Sequence, residues 1–347
     1  MKTPKQLGYR LPAEWEKHDA VWLSWPYDKV TFPDRVAIVE NRFAEIIKAV
    51  HESERVELLI RDEKMKERVI HKLEDKKVDL KFVNLHVTDY ADVWFRDFGP
   101  SFIVNEENKQ LAMVDWTYNA YGGKWPELLK DDKIPAWMNK FLELPYFMPE
   151  MVLEGGAIEV NGRGTLMTTE ECLLNKKRNP KLSKKDIERC LSDYLGINNF
   201  IWLKRGLFND HTDGHIDNIA RFVSPDSIIY SSEIDEKDIN YPVIRENLEI
   251  LKEARDHDGN KFNLIELPLP KIFDNRGKRI PASYANFYIG NNVVLVPVFG
   301  HNNDSMALEI IKKIFLERTI VGIDSADLIY GGGTIHCVSR EQPAVRF

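Results

Sequence analysis

The chain has 347 residues, 43% hydrophobic and 30% charged, enough apolar content for one large core or two ordinary ones. A formal net charge of −7 and a pI of about 5.8 offer no basic face for general nucleic-acid binding. No stretch is apolar for long enough to span a bilayer.

Three cysteines, Cys172, Cys190 and Cys337, are odd in number and far apart, fitting neither a disulfide framework nor zinc-ligand spacing. The opening MKTPKQLGYRLPAEWEKHD lacks the apolar run of a signal peptide, so the expectation is a cytoplasmic protein with its thiols reduced.

In chain order, the apolar run Ala20–Trp25 ends at Pro26 and predicts a buried strand. A helix follows over about 34–51, with Val39, Phe43, Ile46, Ile47 and Val50 on one face and Arg42, Glu45 and Lys48 opposite. Then come a strand at Val56–Ile60, a charged helix through Lys64–Leu73 and an alternating strand marked by Val78, Leu80 and Phe82. Strands mixed with helices make this an α/β chain. Asp131–Pro135, Glu233–Ile239 and Asp274–Arg279 read as charged loops. No Pro/Ser-rich linker divides the sequence, so residues 1–347 read as a single domain.

From Asp97 onward a recurrence appears. A polar or glycine-rich approach leads into a short strand, a tight turn and a second strand at Asp97–Val104, Glu154–Ile158, His215–Ile219 and Asn286–Ile289. The turns NEENK, NGRG, SPD and GNN have hairpin chemistry. A fifth approach is the glycine run Gly331-Gly332-Gly333 before Cys337, with a strand carrying that cysteine. A spacing of roughly 50–70 residues fits repeated supersecondary units about an axis. Equivalent units would bring Asp97, Glu154, His215 with Asp217, Asn286 and Cys337 to one place. The plainer reading is that hairpins are common and these are unrelated.

Three clusters can carry chemistry. Asp92-Val93-Trp94-Phe95-Arg96-Asp97-Phe98-Gly99-Pro100 is either a turn fixed by an Arg96–Asp97 pair or a carboxylate beside an aromatic wall, suited to a flat cation. In His211-Thr212-Asp213-Gly214-His215-Ile216-Asp217, an extended strand would put His211, Asp213, His215 and Asp217 on one face. That face is solvated surface, a manganese or zinc ligand set, or an acid–base partner for a thiol. Cys337 after three glycines is either an inert buried thiol or a nucleophile facing a planar substrate that lies against the backbone. Asn161-Gly162-Arg163-Gly164 lacks the third glycine of a dinucleotide fingerprint, Gly331–Gly333 lacks the Lys-Ser/Thr of a phosphate loop, and there is no H-E-x-x-H.

The ordered motifs LPAEWEKHDAVWLSWP, DVWFRDFGP, EGGAIEVNGRGTLMTTEECLLNKKRNP, TDGHIDNIARF, PASYANFYIGNNVVLVP and GGGTIHCVSREQP cover nearly the whole chain. Together they resemble the agmatine deiminases of the bacterial-type peptidylarginine deiminase family. The resemblance implies the five-bladed, pseudo-fivefold α/β propeller of the guanidine-modifying (pentein) superfamily, built from ββαβ units. It implies Cys337 as nucleophile, His215 as proton carrier, and Asp97 and Asp217 as guanidinium-binding carboxylates. Glu154, Asn286 and Trp94 are then further pocket residues. It also implies no cofactor, no metal, a small cationic guanidino substrate and a homo-oligomer, with no membrane or nucleic-acid partner. HCVSREQP departs from the HCITQQQP that the family leads one to expect, a change bearing on specificity more than on chemistry.

Rival readings keep the site but change its use. The fold could serve free arginine or arginyl peptides, or bind without catalysis. Asp213-Gly214-His215-Ile216-Asp217 also resembles a fragment of the manganese ureohydrolases, although no second carboxylate-rich motif completes a two-metal site.

Overall fold

The structure is a computed structural model that describes residues 2–345. The chain is mixed α/β, and its strands form five separate sheets. The first contains β1 (His18–Ser24), β2 (Arg55–Ile60) and β3 (Val83–Val87), all parallel. The second is β4 (Ser101–Asn105), β5 (Gln110–Val114) and β6 (Tyr146–Phe147). The third is β7 (Ile158–Val160), β8 (Thr165–Thr169) and β9 (Asn199–Leu203). The fourth is β10 (Ala220–Ser224), β11 (Ser227–Ser232) and β12 (Asn263–Pro268). The fifth is β13 (Tyr288–Ile289), β14 (Val293–Val298) and β15 (Thr319–Asp324). Finally β16 (Arg340–Pro343) returns to pair antiparallel with β1.

Each of the second to fifth sheets follows one plan: an antiparallel hairpin, then a crossover to a parallel third strand. A helix lies in each crossover: Ile134–Leu142, Lys184–Leu195, Tyr241–Glu253 and Asp304–Ile314. The first sheet follows the same plan once β16 is counted, with β16–β1 as hairpin partners, the helix Val36–Val50 as crossover and β2 as the parallel strand. A parallel neighbour needs such a crossover, and its helix covers one sheet face, so the middle strands are buried almost throughout.

Several local expectations shift. Val78–Phe82 is not a strand: Asp79 accepts from the Lys81 amide and starts a 3-10 turn at Leu80–Phe82, so β3 begins at Val83. Asp131–Pro135 is helical, with Asp131 buried and accepting from the Asp92 amide. The approaches before β4, β7, β10 and β16 are single helical turns, at Phe95–Phe98, Gly155–Ala157, Ile216–Asn218 and Ile335–Val338. Cys337 therefore sits on a helical turn, and the strand starts three residues later.

Candidate active site

Asp97 and Cys337, each on a helical turn, line a cavity of about 570 Å³ walled by Trp94, Tyr121, Trp125 and Gly332. His215, Asp217 and Asn286 are buried behind these two residues.

Asn286 Nδ2 donates to Cys337 Sγ at 3.2 Å, while Asn286 Oδ1 accepts from the Thr334 hydroxyl at 2.7 Å. The thiol lies 3.7 Å from Asp217 Oδ2, its potential acceptor. Asp97 receives the Gly156 amide at 3.0 Å on one oxygen and the Tyr121 hydroxyl at 2.7 Å on the other. His215 Nδ1 is 3.6 Å from Asp97 Oδ1. Among the described residues, both ring nitrogens of His215 and Oδ1 of Asp217 have no hydrogen-bond partner although they are fully enclosed. Such orphaned buried groups are rare, and these belong to the two residues that flank Asp97 and Cys337.

Glycine is required at two points of this floor. A Cβ on Gly156 would lie 2.6 Å from His215 Nδ1, 2.9 Å from Asp97 Oδ1 and 3.0 Å from Asp217 Oδ2. A Cβ on Gly333 would lie 2.9 Å from Cys337 Sγ and 2.8 Å from the Trp94 ring. A methyl at Gly156 would intrude among His215 and the two carboxylates, and one at Gly333 would press on the thiol and the Trp94 wall.

Electrostatics divides the groups. Burial, then the charges of Asp217 and Asp97, push the Cys337 thiol well above its ordinary range. Burial pulls His215 down, but the Asp97 charge, contact with Cys172 and Glu154 push it up to about 10. Burial raises Asp97; His215 opposes that shift and Asp217 adds to it. Burial also raises Asp217, but the His336 hydrogen bond and charge, with His215 and Arg221, bring it below its usual value. Without substrate the site thus favours a protonated thiol and a protonated His215, and of its two carboxyls Asp97 is raised while Asp217 is lowered.

The remaining expected residues are placed as follows. Trp94 walls the cavity, with its Nε1 donating to Asp92 at 3.0 Å. Glu154 lies behind His215 and not beside the thiol. It is fully buried, and Arg178 Nε donates to both its oxygens at 2.9 Å. Glu154, Cys172 and His215 bring ligand-capable atoms within 4.8 Å of one another. Arg178 already neutralises the carboxylate that a cation at this point would need, so the set does not fit a divalent metal. Arg96 turns away from Asp97 to pair with Glu341 at 2.7 Å.

His211, Asp213, His215 and Asp217 do not share a face. Asp213 and Gly214 are left-handed, at φ 63° and 83°, and reverse the chain. Asp213 is thereby sent outward to Lys124 at 2.5 Å and Arg178 at 2.7 Å, while His215 goes inward. His211 lines the cavity wall.

Sequence reasoning missed Tyr121 and His336. Ala120 and Tyr121 sit at φ 55° and 58° ahead of Gly122 and Gly123, which continue the left-handed run. Two buried non-glycine residues in that region store strain of about 1–3 kcal/mol each, compatible with the need to bring the Tyr121 hydroxyl to Asp97. The paired glycines were the available signal. His336 adjoins the cysteine, but its partners are distant in sequence.

A thiol, an imidazolium and two carboxylates around one flat gap define a thiol-dependent site for a planar cation. The chain belongs to the Porphyromonas-type peptidyl-arginine deiminase family, whose model matches residues 10–343. It is 38% identical over 346 residues to a Legionella pneumophila protein provisionally named agmatine deiminase, covering 98% of this chain and 97% of that one. Its structure is similar to the agmatine deiminase of Enterococcus faecalis, with a TM-score of 0.91, 30% identity and 99% and 98% of the two chains covered. It is also similar to the substrate-bound agmatine deiminase of C. jejuni, with a TM-score of 0.85, 31% identity and 96% of each chain covered.

Proposed function

We propose that this chain hydrolyses the guanidinium of agmatine to N-carbamoylputrescine and ammonia. The observation that carries the reading is the grouping of Cys337 Sγ beside Asp217, His215 Nδ1 beside Asp97, and all three of His215, Asp97 and Asp217 against Gly156, with Cys337 and Asp97 open to the cavity.

In this reading Asp97 and Asp217 take the guanidinium nitrogens and fix the carbon against the thiol, replacing a collision with a positioned attack. The arriving cation cancels the charges that hold the thiol protonated, so the thiol proton passes to solvent and the thiolate forms when it is needed. Thiolate attack gives a tetrahedral adduct. His215, already an imidazolium, protonates the departing nitrogen; the C–N bond breaks, and ammonia leaves an amidino-cysteine. Neutral His215 then takes a proton from water and hydroxide adds to the same carbon; the C–S bond breaks and the hydroxyl proton passes to the sulfur, releasing the ureido product and the Cys337 thiol. His215 ends as it began. No step calls on a cofactor.

The upper cavity supports an amine in the tail over an arginine carboxylate. Asp28, Asp92 and Glu127 line it, and its Lys130 is paired with Asp89 at 2.8 Å. The five like sheets are read as blades of a pseudo-fivefold propeller with the cavity on its axis, and the whole chain as one catalytic domain. A cytoplasmic homo-oligomer serving putrescine formation completes the proposal. No helix among the described residues is long and apolar enough to cross a membrane.

Product analysis with agmatine tests the reaction. Ammonia and carbamoylputrescine should form, insensitive to EDTA, and Cys337→Ala should lose roughly a thousandfold or more in rate. Urea and putrescine, lost with EDTA and retained in the variant, would instead establish a metal ureohydrolase.

A further inference from the structure

Behind Cys337 a second acid–imidazole–acid line runs away from the cavity. His336 is buried, with Nδ1 2.8 Å from Asp217 Oδ2 and Nε2 2.7 Å from Glu14 Oε2. Each ring nitrogen is thus within hydrogen-bond reach of a carboxylate oxygen, one on either side of the ring. Glu14 is itself firmly held. Its other oxygen accepts the Ile289 amide at 2.7 Å, and Arg221 and Arg96 donate to Oε2 at 2.9 and 3.4 Å. Despite burial, Arg221, His336 and Arg96 keep Glu14 ionised far below the usual carboxylate range.

We propose that His336, clamped between Glu14 and Asp217, is the positioning residue that holds Oδ2 of Asp217 and directs its free Oδ1 to the guanidinium, setting the lower pH limit of substrate capture. This inference rests on the functional reading above.

Among the described residues, His336 is the one ring that hydrogen-bonds Asp217. On the cavity side Asp217 faces His215, Asp97 and the Cys337 thiol, and His215 makes no hydrogen bond. On the far side stand Arg221 and Arg96, with Glu159 beyond. Arg221 is fully engaged by Glu159, Glu14 and the Ala285 and Phe287 carbonyls. Arg96 is engaged by Glu14, Glu341 and the His336 carbonyl. Removing the His336 hydrogen bond would leave Asp217 buried beside Asp97 and a forming thiolate, and its carboxyl would hold a proton to higher pH. Because His336 precedes Cys337 on one helical turn, the nucleophile and the ring that holds its substrate anchor move as one piece.

The test is the pH dependence of kcat/KM for agmatine in the native protein, His336→Gln and Glu14→Gln. Glutamine can donate to one carboxylate but brings no charge. In His336→Gln the acid limb should move up by about one pH unit or more and KM at neutral pH should rise about tenfold or more, kcat falling less. Glu14→Gln should move the same limb in the same direction by less.

A purely structural role predicts lowered thermal stability with the acid limb in place, and that result would overturn the proposal. Calorimetric binding of agmatine to Cys337→Ala, alone and combined with Glu14→Gln, from pH 5 to 8 covers the case where His336→Gln does not fold. Identical pH dependence in those two proteins also overturns it. Failure of Cys337→Ala to bind any guanidino compound would instead sink the functional reading itself.

Discussion

Protonation at the floor of the cavity is arranged so that the acid is ready before the nucleophile. His215 is pushed up to about 10 while the thiol is held protonated by burial and two carboxylates. A ring-proton titration by nuclear magnetic resonance should find the His215 midpoint near about 10 in the native protein. In Asp97→Asn it should move lower, because the negative charge that most favours the imidazolium is gone. An unmoved midpoint would mean that the Asp97 charge is not its cause. Cys337, His215, Asp217, Asp97 and Asn286 were legible because each stands at the head of a repeated unit. Glu154 has the same position in the pattern, yet one helical turn rotates it behind His215 and leaves Gly156 in its place. Pattern gives the unit; it does not give which residue of a turn faces inward.

Elements, more than residues, defeated the sequence reading. A helical turn of four residues has no periodicity to detect, and those at Phe95–Phe98 and Ile335–Val338 looked like strand entries. The left-handed run at residues 120–123 was only half legible: Gly122 and Gly123 signal it, but nothing local favours Ala120 or Tyr121 there. Its purpose can be measured. Tyr121→Phe removes the hydroxyl donor to the buried Asp97 carboxylate, an interaction worth about 1.5–3 kcal/mol, and should lower kcat/KM roughly 10- to 100-fold. A change under about twofold would show that the strained run serves packing alone. By contrast, Lys184–Leu195 is helical for reasons written in its sequence. Ser183 and Asp186 form a reciprocal capping box, Gly196 closes the far end at φ 75°, and Ile187, Leu191 and Leu195 enter the core. Ser183→Ala should cost about 1 kcal/mol in a denaturant titration while leaving turnover unchanged.

At the scale of the whole molecule the chain closes on itself. β16 pairs with β1, Gln342 accepts from the Trp22 indole at 2.9 Å, and the last unit is completed by the first. This closure was not legible, because the hairpin partner of β1 lies some three hundred residues away, and no local turn announces it. Closure also holds Asp97 and Asp217 near each other whether or not a cation lies between them, and that has a thermodynamic consequence. A carboxyl whose pKa is raised on folding, as burial raises Asp97, weakens the fold at pH above its unfolded value; the loss is recovered as pH falls and the group takes up a proton. Neutralising Asp97 as Asn should therefore raise the melting temperature of the ligand-free protein at pH 7, with the advantage shrinking in acid. A lower melting temperature would refute this. Agmatine should give the native protein a comparable gain by mass action. The resting enzyme is, in this sense, a fold kept under tension by its own catalytic equipment, and selection for turnover and selection for durability pull its central carboxylates in opposite directions.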